Sequence, residues 1–297
     1  MKPPPFDYHR PGSKAEALEL LGSLGTDAKV LAGGQSLVAL LNLRLARPAH
    51  LIDINGLDGA LSRIGETPGG GLSFGALVRQ RAAERSSAVR DGCPLMAEAL
   101  PHIGHHQIRN RGTVCGNLAH ADPASELPAI AVALDGEMVA ESRARGQRTI
   151  KADDFFRGFL TTALEPDELL TEFRLPAWPR GAGWSFMEVS RRHGDYALVG
   201  AAAVVQLDAS GTCTDARLAF IGAAPGPVRA REAEAALRGV PISNTDALNA
   251  AMERVSPAID PQSDVHASAA YRRHVARVLA RRALREAAGR ASNGATA

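Results

Sequence analysis

Residues 107–126 read Gln-Ile-Arg-Asn-Arg-Gly-Thr-Val-Cys-Gly-Asn-Leu-Ala-His-Ala-Asp-Pro-Ala-Ser-Glu. Two arginines, two glycines, two asparagines, a threonine, a histidine and two acids crowd into a stretch with few long aliphatic side chains. Such a segment is not built to fill a core. Gly112 and Gly116 bracket Thr113, Val114 and Cys115, so the backbone can turn sharply and lie close to another group. Thr113 and Asn117 set small polar side chains beside it. Two sharper chemistries fare poorly here. Cys115 as a nucleophile needs a base and an orienting group. Only His120 stands near it, and a small buried packing residue is the better reading. His102 and His106 are spaced to share a helix face, with His105 and His120 nearby. Gly104 interrupts them and no acid completes a zinc pattern, so no metal site is expected.

A second stretch alters the weight of the first. Lys29-Val30-Leu31-Ala32 reads as a buried strand that runs into Gly33-Gly34-Gln35-Ser36, and an apolar helical pattern follows over 37–45. Strand, paired glycines, hydroxyl and helix can form a phosphate cradle. Backbone N–H groups converge, glycine removes the Cβ that would block approach, and Ser36 adds a donor. The pattern is neither the dinucleotide G-x-G-x-x-G nor the Walker motif, and a tight strand-to-helix turn reads the same way.

The rest of the chain must position these two stretches. Its 297 residues exceed what one hydrophobic core usually organises, so two domains are expected. A hydrophobic fraction of 45% and a charged fraction of 22% are those of a soluble globular protein. A net charge of +2 gives no case for nucleic acid or a membrane surface. The start of the chain lacks the apolar run of a signal peptide, and no uninterrupted apolar stretch is long enough to span a bilayer. Cys93, Cys115 and Cys213 are odd in number and scattered. They form neither a disulfide framework nor a cysteine-ligated cluster, and a reducing cytoplasm fits best.

A capping box at Ser13 to Glu16 opens a first helix. Strands are expected over 29–32, 50–54, 72–75, 137–140, 149–151 and 169–175, and helices over 78–86, 94–103 and 129–134. Pro176-Ala177-Trp178-Pro179-Arg180-Gly181 is the best boundary, giving domains of 1–178 and 179–288 and a frayed tail over 289–297. Beyond it lie a strand over 184–191, a hairpin of 199–207 with 217–221, and helices over 229–238, 245–255 and 267–290. The last helix carries many arginines, which read as a solvated or subunit-facing surface.

Four segments in this order closely resemble one family: residues 32–36, residues 113–117, Asp122-Pro123-Ala124-Ser125-Glu126, and Asp195-Tyr196-Ala197-Leu198-Val199-Gly200. It is the FAD-binding medium subunit of the molybdenum hydroxylases, the aerobic carbon monoxide dehydrogenase and xanthine dehydrogenase family. The likeness spans nearly the whole chain, including the late Asp264-Val265-His266-Ala267-Ser268-Ala269-Ala270-Tyr271-Arg272-Arg273.

The resemblance implies an α+β fold: an FAD-binding domain of the vanillyl-alcohol-oxidase/MurB-like type with two subdomains, then a smaller domain of antiparallel sheet plus helices. It puts Ala32, Gly33, Gly34, Gln35, Ser36 and Leu37 at the FAD pyrophosphate, and Thr113, Gly116, Asn117 and Ala119 in a second loop beside it. Asp122 or Glu126 would set a carboxylate near the cofactor, Ile103 and Leu170 would flank it, and Tyr196 would lie by the isoalloxazine. Met187 stands where several relatives carry a lysine near the flavin, and Cys115 where glycine is common. The implied complex adds a large subunit with a molybdenum-pterin cofactor and a small subunit with two [2Fe–2S] clusters, doubled into a dimer of heterotrimers. It would oxidise an N-heterocycle, aldehyde, purine or carbon monoxide and pass the electrons through FAD to an external acceptor. A free-standing MurB-like flavin oxidoreductase is the alternative, although no set of catalytic acids stands out in the second half.

Overall fold

The computed structural model describes residues 2–57 and 59–294. A small parallel sheet comes first, with His50–Asp53 between Asp7–His9 and Ala28–Leu31. The helix Lys14–Leu24 covers it, started by Ser13, whose hydroxyl accepts from the Glu16 amide. Ala17, Leu18 and Leu21 of that helix bury against Ile52 and Ile54. A five-stranded antiparallel sheet follows, in the order Ile64–Glu66, Leu72–Gly75, Glu168–Leu175, Glu137–Ser142, Gly146–Lys151. Short helices between residues 80 and 133 pack onto it around Phe74, Phe173, Leu118 and Leu127.

The third sheet is antiparallel, in the order Gly183–Ser190, Ala197–Leu207, Cys213–Ile221, Val228–Arg229. Both its faces are buried. Phe186, Ala202 and Val204 join the core of the first half, while Val199, Ala201, Ala203 and Val205 pack under the helices of the second. That explains why Ala197–Leu207 is apolar almost throughout rather than alternating. Small residues let the long helix Ala269–Gly294 lie close. A Cβ added at Gly183 would run into the Ala287 carbonyl oxygen and the Ala291 amide. Gly183→Ala should therefore cost about 2–3 kcal/mol by overpacking, read as a lower denaturation midpoint. An unchanged midpoint would show that the helix can slide without penalty.

Most expected elements are present with shifted ends: several helices are shorter than expected and several strands longer. Residues 107–126, read at first as a polar loop, instead wind into His106–Arg111, Val114–His120 and the start of Glu126–Ala133. Of the frayed tail expected over 289–297, residues 289–294 are helical. The last helix continues to Gly294, since Ala291 is buried beside Gly183. Residues 295–297 of that expected tail lie outside the described residues. Several arginines of this helix are paired: Arg272 with Asp264, Arg273 with Asp260, Arg277 with Glu253, and Arg281 and Arg285 with Asn249 and Thr245. They fasten the helix to its neighbours, most of them to Thr245–Glu253. Among the described residues no helix is long and apolar enough to cross a membrane.

Candidate functional site

The two stretches singled out in sequence touch. A Cβ on Gly33 would sit 2.6 Å from the Arg111 carbonyl oxygen and 2.7 Å from Gly112 Cα, so the two backbones run against each other there. A strap of side chains holds them. Asn55 Nδ2 donates to the Ala32 carbonyl at 2.7 Å, and Arg79 donates both to Asn55 Oδ1 at 2.6 Å and to the Arg111 carbonyl. Gly34 takes φ +75°, a conformation that glycine adopts without strain, and residues 34–36 turn into the helix Leu37–Asn42.

Thr113 caps the helix Val114–His120 by accepting from the Gly116 amide at 3.0 Å. Its backbone is pinned by Val114 N–H to the Val78 carbonyl and by Gln80 N–H to the Gly112 carbonyl. The helix stops at Ala121, which is left-handed at φ +51°. Asp122 then turns the chain by accepting from the Ala124 amide at 2.9 Å, and Asn117 Nδ2 reaches Ser125 Oγ at 3.1 Å. Arg109, almost wholly buried, bonds Glu84 and the carbonyls of Ile103 and Gly104.

Between these segments lies a cavity of about 720 Å³, within the range of organic-ligand sites. Ala32, Gly33, Gly34, Gln35, Ser36 and Leu37 line one wall. Thr113, Gly116, Asn117, Ala119, Asp122 and Glu126 line another, and Ile103, Leu170 and Tyr196 complete it. Met187 does not. On the strand Gly183–Ser190 it faces the second-half core with Val189, while Trp184 and Phe186 turn to the first half. Sequence reasoning missed Asn55 and Arg79, and also the segment over 160–168 that closes one side. Asn55-Gly56 had only the look of a turn.

The electrostatics of the cleft are acidic rather than basic. Glu126 is 5% exposed, and burial, followed by the charges of Glu188 and Asp122, pushes its carboxyl up to about 8. The Tyr196 phenol, exposed on one side, is raised by partial desolvation at the cleft and then by Asp122 and Glu126. Burial lowers His120, although Asp122 stands 3.9 Å from it. Burial drives the Cys115 thiol far above its ordinary value, and its Sγ lies 3.4 Å from the Phe74 carbonyl. Cys115 is a packing residue and not a nucleophile. His102 pairs with Glu188 Oε1 at 3.2 Å. Among the described residues no cluster is placed to hold a metal ion.

Three features suit a large polar cofactor bound through backbone and neutral groups. Glycines line both walls, the volume is sufficient, and Asn117 Oδ1 is buried with no partner in the protein. The comparisons agree. Residues 4–178 match the family described as FAD binding domain in molybdopterin dehydrogenase, and 184–287 match the CO dehydrogenase flavoprotein C-terminal domain. The chain is 43% identical to the 6-hydroxypseudooxynicotine dehydrogenase complex subunit alpha of Paenarthrobacter nicotinovorans, over 98% of this chain and 97% of that one. It is 42% identical to the caffeine dehydrogenase subunit beta of a Pseudomonas strain, over 82% of each chain. A solved carbon monoxide dehydrogenase chain from Hydrogenophaga pseudoflava superposes with TM-score 0.93 at 40% identity, over 98% of this chain and 99% of that one. This chain is thus a member of the family of FAD-binding subunits of molybdenum-dependent dehydrogenases.

Proposed function

We propose that FAD lies in the cleft between residues 32–37 and residues 113–126, and that this chain relays electrons within a larger hydroxylase. The observation that supports this most is that every residue expected at the cofactor except Met187 lines one cavity. Gly34 and Ser36 would present backbone and hydroxyl donors to the pyrophosphate, and Thr113, Gly116 and Asn117 would bound it on the other side. Asn117 Oδ1 offers the cofactor an acceptor that the protein leaves unused. Tyr196, 70% exposed, would stand where the isoalloxazine meets solvent. When bound, FAD accepts electrons and releases them singly or in pairs; the protein supplies position and electrostatics.

In this reading the chain forms one domain over 1–178 and a second over 179–288. It joins a large molybdopterin-binding subunit and a small subunit with two [2Fe–2S] clusters, doubled into a dimer of heterotrimers in the cytoplasm. Relatives whose printed names call them subunits or medium chains match over nearly their full length, which argues against a free-standing reductase. The complex would hydroxylate an N-heterocycle, an aldehyde, a purine or carbon monoxide, and its acceptor would be NAD, oxygen, a quinone or another carrier. The visible spectrum tests the core of this. Purified chain should show flavin bands near ~450 nm at about one FAD per chain. A chain with no bands, even after added FAD, defeats the assignment.

A further inference from the structure

Glu126 occupies an odd place for an acid. It is the first residue of the helix Glu126–Ala133, buried among apolar neighbours, yet its side chain lines the cleft. Among the described residues no cation pairs with it, although the charge of Arg109 reaches it and works against the rise. Arg109, from the helix His106–Arg111, is spent on Glu84 and on the Ile103 and Gly104 carbonyls. His120, at the end of Val114–His120, leans toward Asp122, itself an acid facing Glu126. Tyr196, in the loop before Ala197–Leu207, contributes a phenol. From the strand Gly183–Ser190 comes Glu188, whose Oε1 takes His102 at 3.2 Å and whose Oε2 is buried with no partner. Charges on the elements packed along the rest of that helix are paired among themselves: Glu98 with Arg290, Asp153 with Arg231, and Asp135 with Arg217 and Arg229.

We propose that the cleft takes FAD only with the Glu126 carboxyl protonated, so that this carboxyl, backed by Glu188 and His102 across the junction of the two matched regions, links cofactor binding to a proton. The proposal rests on the FAD reading above. Its physical basis is additive. An ionised Glu126 would face Asp122, Glu188 and an incoming doubly negative pyrophosphate, with water expelled as the cleft fills. Each of these disfavours the carboxylate. A neutral carboxylic acid instead gives the cleft wall an O–H donor to complement the acceptor at Asn117 Oδ1. The region 184–287 thereby acts on Glu126, and so on the cofactor site of the region 4–178, through Glu188.

The sign follows from linkage. Burial and neighbouring acids hold the Glu126 carboxyl at about 8 in the free protein, and bound FAD pushes it higher. Affinity is then flat at low pH and falls as pH rises through that value. The test is FAD titration of the full chain stripped of cofactor, followed by flavin fluorescence from about pH 6 to about pH 9.5. Wild type should lose roughly tenfold per pH unit above about 8, or about thirtyfold at the upper limit. Glu126→Gln should bind with no pH dependence. Glu188→Gln, which removes a like charge, should move the onset to lower pH. Infrared spectra of cofactor-free wild type at neutral pH should show a protonated-carboxyl stretch that Glu126→Gln lacks, and this needs neither FAD nor activity. Affinity that stays flat with pH in wild type, or that still falls with pH in Glu126→Gln, overturns the proposal while leaving the FAD site standing. A carboxyl stretch in a chain that binds no FAD at any pH sinks the cofactor reading and the proton link together.

Discussion

Gly33→Ala should lower FAD affinity by roughly ten- to a hundredfold and also lower stability, the equivalent of about 1–3 kcal/mol of overpacking. The reason lies between the two loops. The added methyl has no space of its own, since the nearest atoms are the Arg111 carbonyl oxygen, Gly112 Cα and, at 3.1 Å, the Thr113 amide. All three are backbone, so none can swing aside as a side-chain tip would. The loops must part, and the Asn55–Arg79 strap, whose bonds to the Ala32 and Arg111 carbonyls span that gap, must stretch. Gly34→Ala is an informative companion. Its Cβ would meet Leu31 and Val38 side-chain atoms at 3.2 Å, and its φ of +75° would cost about 1–2 kcal/mol for any other residue. Flavin content after purification and the denaturation midpoint report both effects. Full flavin occupancy with an unchanged midpoint in Gly33→Ala would show that the loop contact does not shape the site.

Gly33 also shows what a single sequence reveals and what it hides. Two adjacent glycines after a buried strand are visible, and so is the inference that backbone comes close to something there. The partner is not visible, because the approach is made by Arg111 to Thr113, far along the chain. The sequence reading assigned both glycines to a ligand; the structure sets both on the cleft wall and also presses Gly33 against the opposing loop. Met187 is a similar case. Alternation along Gly183–Ser190 separates residue 187 from 186 and 188, yet only packing reveals which side turns toward the first half. The stretch 199–207 was legible as half of a hairpin with 217–221, while the burial of both faces of its sheet shows only in the packing. The local signals at Thr113 and Gly116 spoke for a capped helix, and polarity drew attention to a loop instead. Asn55 and Arg79 carried no signal at all. A strap that joins two loops through two unremarkable polar side chains is written in three dimensions only.

Arg109 sets up the second large effect. Its guanidinium bonds Glu84 at 2.8 and 3.3 Å and the carbonyls of Ile103 and Gly104 at 3.0 and 2.9 Å, with His106 Nδ1 at 3.0 Å. The two carbonyls belong to the stretch that gives the cleft its Ile103 and Gly104 wall. Burial alone would push the Glu84 carboxyl up, but its hydrogen bonds from Arg109 and Arg81 outweigh that and hold it below its ordinary value. Arg109→Met leaves both carbonyls without that donor and Glu84 with Arg81 alone, which should cost about 3–5 kcal/mol. Arg109→Lys keeps the charge but not the planar fork, so it should fall between the two. Glu84→Gln in the Arg109→Met background should recover part of the loss, because a stranded charge is removed with its partner. The pH dependence has a fixed sign. A depressed carboxyl stabilises above its unfolded value and loses that contribution as pH falls through its folded value, so wild type should lose stability on acidification at this site while Arg109→Met, with only Arg81 left at Glu84, should lose less. Denaturant midpoints of these four chains and of Glu84→Gln alone, at neutral and acid pH, measure each of these terms. A fully additive double mutant would mean that Arg109 and Glu84 do not act as a pair, and that Ile103 and Gly104 are held by something else.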